Sequence, residues 1–281
     1  MKQRKLGLTA ANISIVGFGG ILVMNEDDAT ASRLVLDALQ RGVNYFDVAP
    51  SYGNAEERLG KALAPYRGQV FLSCKTLERD KEGAARELHN SLKVLQAGYF
   101  DLYQVHGIGS VEEAQQVLAP GGALEAFTEA RRKGLIRYIG FSCHNEEAAL
   151  MLLDSFTFDT IMFPFNWSSW LRNSFGLRVH KKAQELGLGI IALKALARRR
   201  LREGEEKPWS KCWYVPVETP REALKAAWFT LSLPVTAMIS PGHWELFSWL
   251  CDAATNYREL TADEMAILVN ESRAIEPVFP Q

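Results

Sequence analysis

An acid, a phenol, an amine and an imidazole stand at the ends of short apolar runs early in this chain. The runs are Tyr45-Phe46-Asp47-Val48-Ala49, Ser51-Tyr52-Gly53, Val70-Phe71-Leu72-Ser73-Cys74-Lys75 and Leu102-Tyr103-Gln104-Val105-His106. A free phenol titrates near pH 10 and is a poor proton donor at neutrality. An ammonium beside it, Lys75, favours the phenolate and lowers that value, and Asp47 holds the ammonium in place. His106 can orient a carbonyl oxygen by hydrogen bonding or pass a proton to Tyr52. Such a set suits proton delivery to an oxygen that is gaining negative charge, as when hydride reduces a carbonyl. No side chain supplies hydride, so a nicotinamide is implied. Taken singly, each residue has an ordinary structural role: Asp47 as a helix cap, Tyr52 in packing, Lys75 on the surface, His106 as a satisfied core histidine. The argument rests on their joint placement.

The elements that must position them alternate along the chain. Apolar runs rich in β-branched residues and Phe predict strands at 13–17, 45–47, 70–75, 102–106, 136–141, 160–163, 189–193 and 236–239. Amphipathic stretches predict helices at 27–40, 55–63, 81–95, 124–133, 146–154, 174–185, 221–232 and 244–253. Eight strand–helix units in 281 residues are the arithmetic of a single-domain (β/α)8 TIM barrel spanning 1–281, whose active site lies at the C-terminal ends of the strands. An extra C-terminal helix at 262–272 and a Pro-containing tail at 276–281 fall outside the units and are expected on the outside or over a mouth. Residues 195–220 break the rhythm with Arg198-Arg199-Arg200-Leu201-Arg202, Trp209 and Cys212-Trp213-Tyr214. A connection this long in a compact domain is expected to be functional, here a lid over the same mouth. Its arginines read either as a solvated helix end or as contacts to an anionic ligand.

Composition bounds the class. Hydrophobic residues make up 47% and charged residues 23%, enough for a full core. A net charge of −1 offers no field for nucleic acid or an anionic membrane. The start, Met1-Lys2-Gln3-Arg4-Lys5-Leu6, lacks the apolar region of a signal peptide, and no apolar run approaches the roughly 18–20 residues of a membrane span. The expectation is a cytoplasmic protein. Cys74, Cys143, Cys212 and Cys251 form no C-x-x-C pair and no zinc spacing with histidine, so they read as reduced thiols and no metal site is expected.

The same residues carry a family resemblance. Residues 42–56, with Asp47 and Tyr52 five positions apart, resemble the most diagnostic stretch of the aldo-keto reductases. Residues 70–75 resemble the strand bearing that family's lysine, 101–106 the strand bearing its histidine, and 133–142 its fifth-strand signature. The likeness covers nearly the whole chain. It implies the barrel, NAD(P)H-dependent carbonyl reduction (an alcohol dehydrogenase or carbonyl reductase), and Asp47, Tyr52, Lys75 and His106 as the catalytic residues.

Cofactor contacts carry over less evenly. By resemblance, Gly19 and Gly20 let the backbone approach the nicotinamide end, with Asp47 nearby. Ser142 and Asn166 match carboxamide contacts, though Cys143 stands where many relatives have Asn. Leu193 takes the place of a stacking aromatic, followed by Lys194 and Leu196. Near the C-terminus Ser240, Gly242 and His243 replace the relatives' basic stretch, without its Arg or Glu-Asn pair. Family habit favours NADPH, with NADH possible, and the 198–202 arginines are a candidate substitute for the missing base. Met24, Tyr52, His106, Trp167 and Trp170, with the 209–214 aromatics, are expected to line an apolar substrate pocket. The implied partner is a small-molecule carbonyl substrate, not nucleic acid or membrane, taken by a monomer or small homo-oligomer. Two other uses of the set stay open: a nicotinamide-binding regulatory subunit, and a sugar epimerase or dehydratase that recycles its cofactor.

Overall fold

The chain begins with a small antiparallel ribbon, β1 (Gln3–Lys5) and β2 (Asn12–Ser14), in a computed structural model that describes residues 1–279. Seven strands follow: β3 (Val16–Gly19), β4 (Tyr45–Asp47), β5 (Phe71–Thr76), β6 (Phe100–Ile108), β7 (Ile136–Cys143), β8 (Thr160–Phe163) and β9 (Gly189–Ala192). A second ribbon, β10 (Ala197–Arg199) with β11 (Val215–Pro216), precedes β12 (Ala237–Ile239). Strands β3 to β9 and β12 form one closed parallel barrel, β12 pairing with both β3 and β9. The helices around it are α1 (Asp28–Gln40), α2 (Ala55–Leu63), α3 (Lys81–Val94), α4 (Val111–Leu118), α5 (Ala123–Arg132), α6 (Glu146–Ser155), α7 (Trp167–Asn173), α8 (Leu177–Glu185), α9 (Pro220–Ser232), α10 (Trp244–Thr255) and α11 (Ala262–Arg273). The eight-unit barrel read from the sequence is the architecture observed.

Local chemistry explains the elements. In α1, Ala31, Leu34, Val35 and Ala38 are buried at helical spacing, and the Asp27 carboxylate accepts the Thr30 N–H (2.6 Å) to cap the first turn. Pro220 opens α9, where a missing N–H costs nothing, and Thr261 with Glu264 forms a reciprocal cap on α11.

The first strand and two of the connections differ most from the sequence reading. The run 13–17 is split, with Ile13 in the ribbon and the barrel strand starting at Val16. Ile13 and Leu6 are fully buried among the lowest inward residues Tyr45, Phe71, Leu102, Met162 and Ile191, so the ribbon plugs the barrel floor. Gly7, at φ 57°, lets the turn sit against Gly187, Leu188 and Gly189, where any Cβ would come within 2.6 Å of backbone. Two connections also carry an additional helix. α4 stops at Leu118 before the Pro120-Gly121-Gly122 reversal, and α7 ends in the left-handed residues Ser174 and Gly176.

Inside the barrel, polarity rises toward the C-terminal ends of the strands. The apolar floor gives way to Asp47, Ser73 and Gln104, and then to Lys75 and His106. Side chains in a strand alternate faces, so positions two apart on β5 (71, 73, 75) and β6 (102, 104, 106) share the interior. Because the floor is closed by Leu6, its truncation should leave a cavity. Leu6→Ala is expected to cost about 2–5 kcal/mol in urea denaturation while leaving the strand-end geometry intact; a loss under about 1 kcal/mol would show that the ribbon is not part of the core.

Candidate active site

The acid sits at the end of β4 and is nearly fully buried. Register places Asp47 beside Ser73, and Lys75 beside Gln104. The Lys75 ammonium donates to Asp47 Oδ2 and, at 3.3 Å, to the Val48 carbonyl. Ser73 Oγ donates to Asp47 Oδ1 (3.0 Å), and Gln104 Nε2 donates to Ser73 Oγ (2.9 Å) and Asp47 Oδ1 (3.3 Å). The buried charges are therefore paired, and the carboxylate's remaining capacity is filled by neutral donors. Ser73 and Gln104 were absent from the sequence expectation. Their signal was available, since each lies two residues before a singled-out strand residue and faces the same interior.

Tyr52 stands on the turn between β4 and α2. Its N–H donates to the Ala49 carbonyl (3.0 Å), its carbonyl accepts from Ala55 (3.0 Å), and Gly53 follows at φ 56°. Lys75 Nζ lies 5.2 Å from the Tyr52 ring centroid, and His106 meets that ring edge-on at 5.7 Å. Acid, amine, phenol and imidazole thus converge on one mouth.

Their protonation differs in part from expectation. Burial pushes the Tyr52 phenol upward, Lys75 pulls it down and Asp47 opposes Lys75, so the phenol ends above its ordinary value. At neutral pH it holds its proton. Burial alone disfavours the Lys75 ammonium, but Asp47, with help from Tyr52, outweighs it and holds Lys75 above the usual lysine range. His106 is pushed down to about 3, by burial first and then by the charges of Lys75, Arg79 and Lys194. A neutral imidazole at pH 7 is a hydrogen-bond partner for an oxygen and not an imidazolium that passes protons.

The remaining expected contacts divide. The Asn166 amide nitrogen is buried without a hydrogen-bond partner, while its oxygen accepts from Ser168 and Ser169. Ser142 Oγ accepts the Gly107 N–H (2.7 Å) and keeps its own proton to donate. These two donors at adjacent strand ends fit a carboxamide. Leu193 is half-buried at the top of the interior. Met24 lies against Gly53, next to Tyr52.

Others serve the protein's own packing. A Cβ on Gly19 would come within 2.8 Å of the Ser240 carbonyl, and one on Gly20 within 2.9 Å of the Asp47 carbonyl, so these glycines accommodate neighbouring backbone. Ser240 Oγ accepts the Gly19 N–H (3.0 Å). The Leu196 side chain is in the core and its carbonyl accepts from Val217. Trp167 is almost fully buried. Trp170 packs edge-on against Phe165 and against His180 of α8, away from the expected lining. The arginines pair within their own neighbourhood: Arg198 with Glu218, Arg199 with Glu205 and Arg200 with Glu276.

Residues 195–220 carry the β10–β11 ribbon and have two attachments. On one side the Lys211 N–H donates to His243 Nε2 (3.0 Å), while its ammonium donates to the Leu22 carbonyl (3.0 Å) and Glu26 (2.8 Å). Gly242, His243, Arg33 and Trp209 line a groove of about 510 Å³ there, beside the start of α10. On the other side Trp213 packs edge-on against Phe279 of the C-terminal tail. The final two tail residues lie outside the described residues. No helix among the described residues is long and apolar enough to cross a membrane, and no cluster of three or more His, Cys, Asp or Glu among them forms a metal site.

Comparison with known proteins agrees with the barrel fold. The model of the Aldo/keto reductase family matches residues 16–265. The chain belongs to that family. Among curated aldo-keto reductase relatives it is 33% identical over 156 residues to an uncharacterized oxidoreductase, YqkF, of Bacillus subtilis, covering 50% of this chain and 49% of that protein. It is 31% identical to the aldo-keto reductase YhdN of the same organism, covering 57% and 51%, so these matches span about half of each relative. A plant relative, L-galactose dehydrogenase of Arabidopsis thaliana, is 28% identical over 74% of this chain and 70% of its own. The holo form of a Bacillus halodurans aldo-keto reductase shares the fold, with a TM-score of 0.76, 24% identity and 98% of both chains covered.

The half-buried imidazoles of His106 and His144 set a pH dependence of stability. His144, just after β7, is pushed down to about 2, mainly by burial. Unfolded imidazoles titrate near 6.5, so below that pH the unfolded chain binds protons that the folded chain refuses. Stability present above about pH 6.5 is lost as pH falls toward the folded values. Between about pH 7 and 5 the unfolding free energy is expected to drop by at most roughly 2 kcal/mol per imidazole. Urea denaturation of the wild type and of the double variant His106→Asn, His144→Asn checks this; an equally steep profile in the variant would refute it.

Proposed function

We propose that this chain reduces an aldehyde or ketone to an alcohol, with hydride from a reduced nicotinamide dinucleotide and the proton from Tyr52. The observation that carries the reading is a protonated phenol flanked by a paired ammonium and a neutral imidazole at the C-terminal mouth of the barrel. A bound dihydronicotinamide supplies hydride to the carbonyl carbon. His106 orients the carbonyl oxygen by a hydrogen bond. Tyr52 gives its proton to that oxygen as negative charge develops there, and the Lys75 ammonium stabilises the phenolate left behind. Asp47, held by Ser73 and Gln104, keeps Lys75 charged and in place.

Asn166 and Ser142 are the residues that would hold the carboxamide, with Leu193 covering the ring by dispersion. The groove at Gly242, His243 and Arg33 suits the adenosine end, because the start of α10 presents unpaired N–H groups. Arg33 and Lys211, which line that groove, are the cations available there to favour NADPH over NADH.

Steady-state absorbance of the reduced nicotinamide, with NADPH and NADH against a panel of aldehydes, tests the reading. Tyr52→Phe is expected to lower kcat by at least about 10²-fold and to leave cofactor affinity, read by fluorescence titration, within about twofold of wild type. Cofactor that binds but is never consumed by any carbonyl would replace this reading with a regulatory or redox-neutral role.

A further inference from the structure

On the β9 side of the mouth, a lysine occupies backbone that favours glycine. Lys194 has φ 58°, a left-handed conformation that L-residues adopt at a cost and that is informative when the chain retains a bulky side chain there. Its Nζ lies 2.9 Å from His144 Nε2, 5.1 Å from the Trp213 ring centroid and 5.4 Å from that of Phe279. His144 in turn stacks on Phe279 at 5.5 Å with 14° between planes. The lysine thus reaches from β9 to the end of β7 and the tail, away from the groove beside α10.

What it lacks, among the described residues, is an acid. Lys75 has Asp47, Lys211 has Glu26 and Arg79 has Glu113. Among the described residues the Lys194 ammonium's one hydrogen-bond partner is the neutral His144. Burial pushes Lys194 down to about 7 with no acid offsetting it. A half-buried ammonium left in this condition gains from any anion brought to it. The site is coupled to the acid–base set, since the His106 imidazole feels the Lys194 charge.

We propose that Lys194, braced by His144 and walled by Trp213 and Phe279, anchors a carboxylate carried by the substrate remote from its carbonyl. One cation matches one negative charge, and the aromatic walls suit the hydrocarbon between the two groups. The substrate class is then an oxo- or formyl-carboxylic acid. The inference rests on the reductase reading for the carbonyl end, but the anchor can be read separately.

The test pairs 4-carboxybenzaldehyde with its methyl ester, using the wild type and Lys194→Met with saturating cofactor. Wild type is expected to prefer the acid by at least about tenfold in kcat/KM. Lys194→Met should lose about 30-fold or more on the acid, mostly in KM, and less than about threefold on the ester. Such a difference is the size expected for one charge-assisted contact. Equal losses on both compounds together with weakened cofactor binding would assign Lys194 to the dinucleotide phosphates and overturn the proposal, as would equal wild-type rates on acid and ester. A second measurement does not depend on turnover: benzoate binding to the cofactor complex, followed by tryptophan fluorescence. Binding to wild type but not to Lys194→Met supports the anchor even if no carbonyl is reduced, an outcome that sinks the reductase reading alone. No benzoate binding to wild type overturns the anchor.

Discussion

A charge pair inside a closed barrel is the constraint around which the rest of the mouth is arranged. Asp47 and Lys75 are both almost fully withdrawn from water. Either one alone would be expensive to bury, so each requires the other, and the carboxylate's second oxygen requires Ser73 and Gln104. These requirements fix the register of β4, β5 and β6 as firmly as the apolar floor does. A one-residue slip would turn Asp47, Lys75 or Gln104 out of the interior and break the pair.

From that pair the protonation of the neighbours follows. The ammonium stays charged and moderates the upward pull of burial on Tyr52, without overcoming it. The same positive charge adds to burial in keeping His106 neutral. The resulting pattern, a charged amine, a protonated phenol and a neutral imidazole, matches the needs of a proton donor to a developing alkoxide. It differs from a picture in which lysine simply acidifies tyrosine, because burial, seconded by the Asp47 charge, outweighs the lysine.

The barrel and the four convergent residues were legible because strand ends in this architecture are also site positions. Apolar runs ending in Asp47, Lys75 and His106 announce both facts at once. Ser73 and Gln104 were hidden by looking only at the final residue of each run, although the strand period points to them. The first strand was misplaced because apolar Ile13 suits a floor plug as well as a barrel strand. Trp170 and the 198–202 arginines were open in the sequence for a different reason. An aromatic near a mouth and a basic run both invite a ligand, and only three-dimensional neighbours reveal Trp170 against Phe165 and His180, and Arg198 and Arg199 paired with glutamates. Lys194 was placed with the cofactor by resemblance, and its reach toward His144 became visible only in the fold.

Ring closure has a consequence for how this chain behaves in a crowded solution. Each barrel strand is hydrogen-bonded on both sides, so the main sheet offers no free edge onto which another extended chain can add. Among the described residues the open strand edges belong to the two ribbons, whose strands are only two or three residues long. Short, isolated edges of this kind are poor templates for intermolecular β-pairing. The topology that brings four side chains to one mouth also leaves the protein with little backbone through which to aggregate.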